Sequence, residues 1–118
     1  MLPKINPTET NIWEYLVEHF LENEFDLRTL FAENLRRFEE FSVKRDNYLF
    51  DYSKNLINST TMEYLLRLAE ETKVKEAINL MFSGEKINET ENKAVLHTAL
   101  RDFSDKPILL MVRMLSLR

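Results

Sequence analysis

Phe41-Ser42-Val43-Lys44-Arg45-Asp46-Asn47-Tyr48-Leu49-Phe50-Asp51-Tyr52 is the stretch on which the architecture turns. Phe41 and Val43 alternate with Ser42 and Lys44; Tyr48, Phe50 and Tyr52 alternate with Leu49 and Asp51. Successive side chains of a strand point to opposite faces, so a period of two is a strand signal. Arg45-Asp46-Asn47 supplies turn chemistry between the two runs. The spacing predicts a β-hairpin with one aromatic face. A lone hairpin is marginal in water and needs a partner surface.

The flanking sequence is helical in period. Ile12, Trp13, Leu16, Val17, Phe20 and Leu21 recur on an i, i+4 rhythm with Glu14, Glu18 and Glu22 opposite, which predicts an amphipathic helix opened by Pro7 and Thr8. Asp26 is placed to cap a short second helix carrying Leu27, Leu30, Phe31 and Leu35. Beyond the hairpin, Thr60-Thr61-Met62-Glu63 has the form of a capping box, followed by a stripe of Met62, Leu65, Leu66 and Ala69. Thr72 and Lys73 interrupt the stripe; Val74, Ala77, Ile78, Met81 and Phe82 resume it, and Gly84 caps its end. Asn88 to Asn92 form a polar connector. A further helix is expected from about Lys93, with Val95, Leu96, Ala99 and Leu100 inward and Pro107 at or after its end. No repeat, low-complexity tract or dividing linker interrupts the chain. The fold class is α+β, mostly helical with one β-hairpin.

Composition narrows the chemistry. The 118 residues are 44% hydrophobic, enough for one small domain or a piece of a larger one. A single glycine excludes glycine-rich phosphate cradles, and the lack of cysteine excludes disulfide frameworks, zinc knuckles, iron–sulfur sites and thiol nucleophiles. His19 and His97 are too few for a histidine-rich metal site. The net charge of −4 has the wrong sign for a nucleic-acid binder. Residues 1–30 show no basic start followed by an apolar stretch, and the run Ile108 to Val112 is far too short to span a membrane. The expectation is a cytoplasmic protein with no membrane or nucleic-acid partner. Asn58-Ser59-Thr60 and Asn88-Glu89-Thr90 match the glycosylation pattern and are read as unused.

The constellations that could carry chemistry have plainer readings. Ser53 and Lys54 are adjacent at a strand end, where they point apart and cannot share a proton. Ser83-Gly84-Glu85-Lys86 lacks the upstream glycine of a phosphate loop, and Ile87 stands where a metal-holding hydroxyl belongs. Glu39-Glu40 and Glu70-Glu71 are sequence neighbours, which do not face each other on a helix. His97 reads as a hydrogen-bonded core residue before it reads as a catalyst, and His19, on an ordinary amphipathic helix, has still less claim to a catalytic or ligand-contacting role. Phe38, Phe41, Tyr48, Phe50 and Tyr52 could stack bases, but Lys44, Arg45 and Lys54 are balanced by Glu39, Glu40, Asp46 and Asp51, so a core role is expected.

Particular blocks carry more. Asp51-Tyr52-Ser53-Lys54-Asn55, Met81-Phe82-Ser83-Gly84-Glu85-Lys86-Ile87-Asn88, Thr90-Glu91-Asn92, Ala94-Val95-Leu96-His97 and Ala99-Leu100-Arg101 resemble, in order and spacing, the N-terminal region of the glucose-6-phosphate isomerase family. Asn6-Pro7-Thr8, Leu30-Phe31 and Arg37-Phe38 resemble its bacterial members. The similarity covers about Ile5 to Leu110. Lys93 stands where the family usually has arginine, and Asp102 to Lys106 depart from its pattern.

The resemblance implies the N-terminal part of the α/β sugar-isomerase fold, a three-layer sandwich. It implies a cytosolic, usually homodimeric enzyme of glycolysis and gluconeogenesis. The family interconverts glucose 6-phosphate and fructose 6-phosphate through an enediol, with no metal or nicotinamide. Its catalytic glutamate, ring-opening histidine and lysine, and phosphate loop lie beyond the matched stretch. No position here inherits those roles, and His97 is not taken for the ring-opening histidine. Residues 1–110 are thus expected to be an N-terminal segment, inactive alone, with apolar faces shaped to pack on an absent sheet. The alternative is a non-catalytic helical interaction module that takes that segment's place on a full-length isomerase. Residues 111–118 are expected to be a frameshifted tail. One coding of the family continuation Asn-Gly-Lys-Asn-Val-Ile-Pro-Glu-Val-Asn, read after loss of its first base, gives Met-Val-Arg-Met-Leu-Ser-Leu-Arg and a stop.

Overall fold

A computed structural model describes residues 2–95, 97–101 and 103. They fall into two units, one of residues 11–68 and one of residues 2–10 with the described residues from 69 on. The expected end of a helix at Pro107 and the frameshifted tail at 111–118 lie outside the described residues.

In the unit of residues 11–68, α1 runs Asn11–Glu22. Pro7 and Thr8 do not open it. They belong to a separate 3-10 turn, Pro7–Glu9, capped by the Asn6 side chain on the Thr8 N–H. Ile12 is buried and Trp13 and Leu16 are half-buried, while Phe20 and Leu21 stand open at 73% and 75% exposure. The second half of the predicted stripe is therefore uncovered. α2 is Leu27–Glu33, and Asp26 caps it as expected, accepting the Thr29 N–H at 3.0 Å. The sequence pattern did not foresee α3, the single turn Arg37–Glu40.

The hairpin forms where the alternation puts it. β1, Ser42–Arg45, pairs antiparallel with β2, Tyr48–Asp51, in the register Ser42↔Asp51 to Arg45↔Tyr48. Asp46 and Asn47 make the two-residue turn, with Asp46 at φ 51°. Tight hairpin turns require such a left-handed residue, and a short polar side chain tolerates it. α4, Ser59–Glu71, follows. Its cap is Asn58, two positions before the predicted threonine. Asn58 Oδ1 accepts the Thr61 N–H at 2.9 Å, and Thr61 Oγ1 accepts the Asn58 N–H at 3.2 Å. This is a reciprocal capping box with threonine in the place of glutamate.

In the other unit, α5 is Val74–Phe82, separated from α4 at Thr72-Lys73 as the interrupted stripe predicts; Lys73 sits at φ 61°. Gly84, at φ 76°, ends α5: its N–H reaches Met81 O and that of Glu85 reaches Leu80 O at 3.1 Å. Those two bonds make a Schellman cap, which needs the left-handed conformation glycine adopts without penalty. Leu2 lies in an apolar crevice with Val74, Ile78, Met81 and Ile87, and Lys4 pairs with Glu89.

The helix expected from Lys93 is absent. Asn88 and Lys93 instead exchange two backbone hydrogen bonds of 3.1 Å, closing the connector into a loop with Asn92 at φ 52°. The Lys93 carbonyl accepts the Asn88 N–H, so it is not given to the N–H four residues on that would open the helix. Among the described residues that follow, the helical element is the 3-10 turn Ala99–Arg101, and Leu96 lies outside the described residues.

Candidate functional site

Of the quoted blocks, Asp51 to Asn55 is the best ordered by contacts. It leaves β2 and turns back, an irregular path whose carbonyls have no ladder partners. Arg37 supplies them. From α3 its Nε donates to Ser53 O at 2.7 Å, and Nη2 donates to Asn55 O and Ile57 O, both at 2.8 Å. The guanidinium carbon lies 4.5 Å from the Phe41 ring centroid and 5.6 Å from that of Phe31. Arg37 is 1% exposed and is the largest fully buried side chain among the described residues. A buried cation requires polar compensation, and here carbonyl dipoles and ring faces provide it.

Asp51 completes the loop. Its Oδ1 accepts the Ser53 N–H at 2.9 Å, an Asx turn. The Ser53 hydroxyl and then its backbone N–H hold the Asp51 carboxyl below the usual carboxylate range, with a smaller pull from Lys54. Ser53 is buried and Lys54 exposed. The pair therefore does not meet, although the reason is a turn rather than the strand end expected. Of the aromatic set, Phe41 is buried and Tyr52 half-buried, their rings 5.9 Å apart. Phe38, Tyr48 and Phe50 are exposed, against the core role expected for them; for Tyr48 and Phe50 the reason is that the two-stranded sheet has no second layer over that face among the described residues.

The other blocks are also occupied with backbone. Gly84 terminates a helix, whereas a phosphate cradle would open one. Asn88 Oδ1 accepts the Glu91 N–H at 3.2 Å. Both glycosylation-like asparagines, Asn58 and Asn88, thus serve as caps. Glu39 pairs with Arg36 at 2.9 Å and Glu40 accepts from Asn34 at 2.8 Å, so these neighbours serve separate contacts.

His97 does not take the core role expected of it. His97 is exposed in a shallow crevice with Met81, Phe82, Thr98 and Arg101. His19 is the networked one. Thr61 Oγ1 donates to Asn58 Oδ1, so His19 Nε2 is the donor in its 2.8 Å contact with that hydroxyl. Nδ1 is left to accept from Asn23 at 3.1 Å. The ring lies edge-on to Phe25 and Tyr64. Thr61 is 42 residues from His19, and sequence spacing carries no sign of that meeting.

Among the described residues there is no cluster of three or more metal-ligating side chains and no helix long and apolar enough to cross a membrane. The phosphoglucose isomerase family model matches residues 51–113, more than half of the chain. The chain belongs to the phosphoglucose isomerase family. In this isomerase-family chain the match begins at Asp51, the last residue of β2, just before the loop held by Arg37. The helical architecture with one small hairpin agrees with the α+β class expected, at the level of the segment described.

Proposed function

We propose that residues 1–110 are the N-terminal portion of a glucose-6-phosphate isomerase and contribute scaffold, not chemistry, to the interconversion of glucose 6-phosphate and fructose 6-phosphate. The observation that supports this most is the family match over residues 51–113. Its polar signature groups are engaged in holding backbone, in the loop at Asp51 and the loop at Asn88 alike. Moving a proton between C1 and C2 of an open sugar needs a base positioned at the reacting carbon. It also needs a site for the phosphate. Neither arrangement is assembled among the described residues. On this reading the chain is cytoplasmic, is silent alone, and belongs to a homodimeric enzyme when complete.

A coupled assay on chain purified from an isomerase-deficient host tests the proposal. No turnover is expected from the chain alone. Turnover is expected when the remainder of a family isomerase, itself inactive, is co-expressed with it. Turnover by the chain alone would overturn the scaffold role. A folded remainder that gains nothing from the chain would overturn the assignment.

A further inference from the structure

We propose that the outer edge of β2 is a self-complementary docking surface, through which two copies of this chain pair as a four-stranded antiparallel sheet. The inference goes beyond the isomerase reading and does not depend on it. The Tyr52 N–H donates to Phe41 O at 2.9 Å, which makes 41↔52 a hydrogen-bonded pair. Pairs alternate along an antiparallel ladder, so Val43↔Phe50 and Arg45↔Tyr48 are also hydrogen-bonded, and Lys44↔Leu49 and Ser42↔Asp51 are not. The backbone N–H and C=O of Leu49 and Asp51 therefore point away from β1. Among the described residues β2 pairs with β1 only.

Only outward-facing residues can pair across the new edge, which restricts the register. Setting Leu49 opposite Asp51 of a second copy uses strand residues alone and forms four backbone hydrogen bonds. It places Phe50 opposite Phe50 and Tyr48 opposite Tyr52. Phe50 and Tyr48 are 69% and 81% exposed, and cross-strand aromatic pairs are stabilising. The Asp51 carboxylates sit off the two-fold axis, each facing leucine. Charge selects this edge over the other: the outward residues of β1 are Ser42 and Lys44, with Arg45 following, and edge lysines oppose pairing. The resulting order β1-β2-β2-β1 closes with basic strands on both outer edges. It also lifts the sheet from two strands, which are marginal, to four.

Sedimentation equilibrium of the 118-residue chain is expected to give a concentration-dependent dimer. Phe50→Lys and Phe50→Glu each place like charges on the axis and are expected to be monomers. Their equimolar mixture is expected to recover the dimer. If either loses its far-UV circular dichroism, Leu49→Pro gives the same reading, since it deletes an outward N–H and leaves the β1–β2 hydrogen bonds. Wild-type chain that stays monomeric at every concentration, dimers that survive the single substitutions, or a mixture that stays monomeric would each overturn the proposal.

Discussion

Removing the Arg37 side chain is expected to unfold the loop at Ser53 to Ile57 and most of the unit around it. Three hydrogen bonds of 2.7, 2.8 and 2.8 Å come from one guanidinium. A bond to a charged group contributes about 1.5–3 kcal/mol net, and a buried carbonyl left without a donor costs about 1–3 kcal/mol. The terms overlap, and desolvation of the cation opposes them, so about 3–5 kcal/mol is the expected loss in Arg37→Ala. At about 0.05–0.15 kcal/mol per residue, residues 11–68 hold about 3–9 kcal/mol in total. Arg37→Met keeps the bulk but no donor, and is expected to lose about 3 kcal/mol on the same count of bonds. Arg37→Lys keeps the charge on a single nitrogen that cannot serve carbonyls on both sides of a planar fork, for a loss of about 1–2 kcal/mol. Urea unfolding followed by circular dichroism reads these as midpoint shifts at constant slope. Hydrogen exchange at the Asn55 and Ile57 amides, bonded to Tyr52 O and Asn55 O, reads the loop directly. An Arg37→Met chain within about 0.5 kcal/mol of wild type, the range of an ordinary surface change, would refute the clamp. A lysine variant equal to wild type would refute its dependence on fork geometry.

Asp51 is held below its unfolded value of about 3.9, so its contribution is present above that pH and is lost as pH falls through the folded value. Asp51→Asn is expected to flatten the acid limb of stability below about pH 4, and an unchanged limb would count against the Ser53 contacts. Asn58→Ala removes the α4 cap and is expected to cost about 1 kcal/mol by urea midpoint; no shift would mean the helix is held elsewhere. The exposed Phe20, Phe50, Phe82 and Phe103 are expected to bind a hydrophobic dye, and a chain that binds none has those rings covered. Genomic sequence past the Leu110 codon is expected to encode a Gly-Lys-x-Val-x-Pro-Glu-like continuation in the other frame, and its absence would remove the shifted-frame origin of residues 111–118.

Elements whose signals are local were legible. The alternation from Phe41 to Tyr52, the Asp26 cap, the break at Lys73 and the Gly84 cap each depend on neighbours a few residues away, and each formed where the pattern put it. The α4 cap slipped by two residues because Asn58, Thr60 and Thr61 are all competent caps and only geometry chooses among them. The helix after Lys93 failed because periodicity registers a stripe but not the Asn88 N–H competing for the Lys93 carbonyl. Arg37 escaped notice for a stronger reason. Its partners lie 16 to 20 residues away and are main-chain carbonyls, which every residue carries and no side-chain pattern marks. The family blocks themselves were legible, since they depend on residue identity and not on contacts.

The signature blocks contain the residue types of catalysis: aspartate, serine, lysine, glycine and histidine. A catalytic base must keep a lone pair free for substrate, and a nucleophile must reach solvent. Asp51 has its Oδ1 engaged by Ser53 and its carboxyl held below the usual carboxylate range, which makes it a weak base, and Ser53 is buried at 1% exposure. Lys54 reaches solvent, but Ser53 beside it points inward and the two do not meet. Gly84 carries a backbone conformation that the end of α5 requires. An irregular segment between a hairpin and a helix has many unpaired main-chain groups, and almost all such groups must find partners when buried. Polar side chains at Arg37, Asp51 and Asn58 meet that demand, and this is why the loop from 51 to 58 is rich in polar residues without forming a reactive site. A family likeness carried by such residues follows the path of the backbone. It identifies the segment, and on the scaffold reading proposed above the chemistry of the family falls to residues outside it.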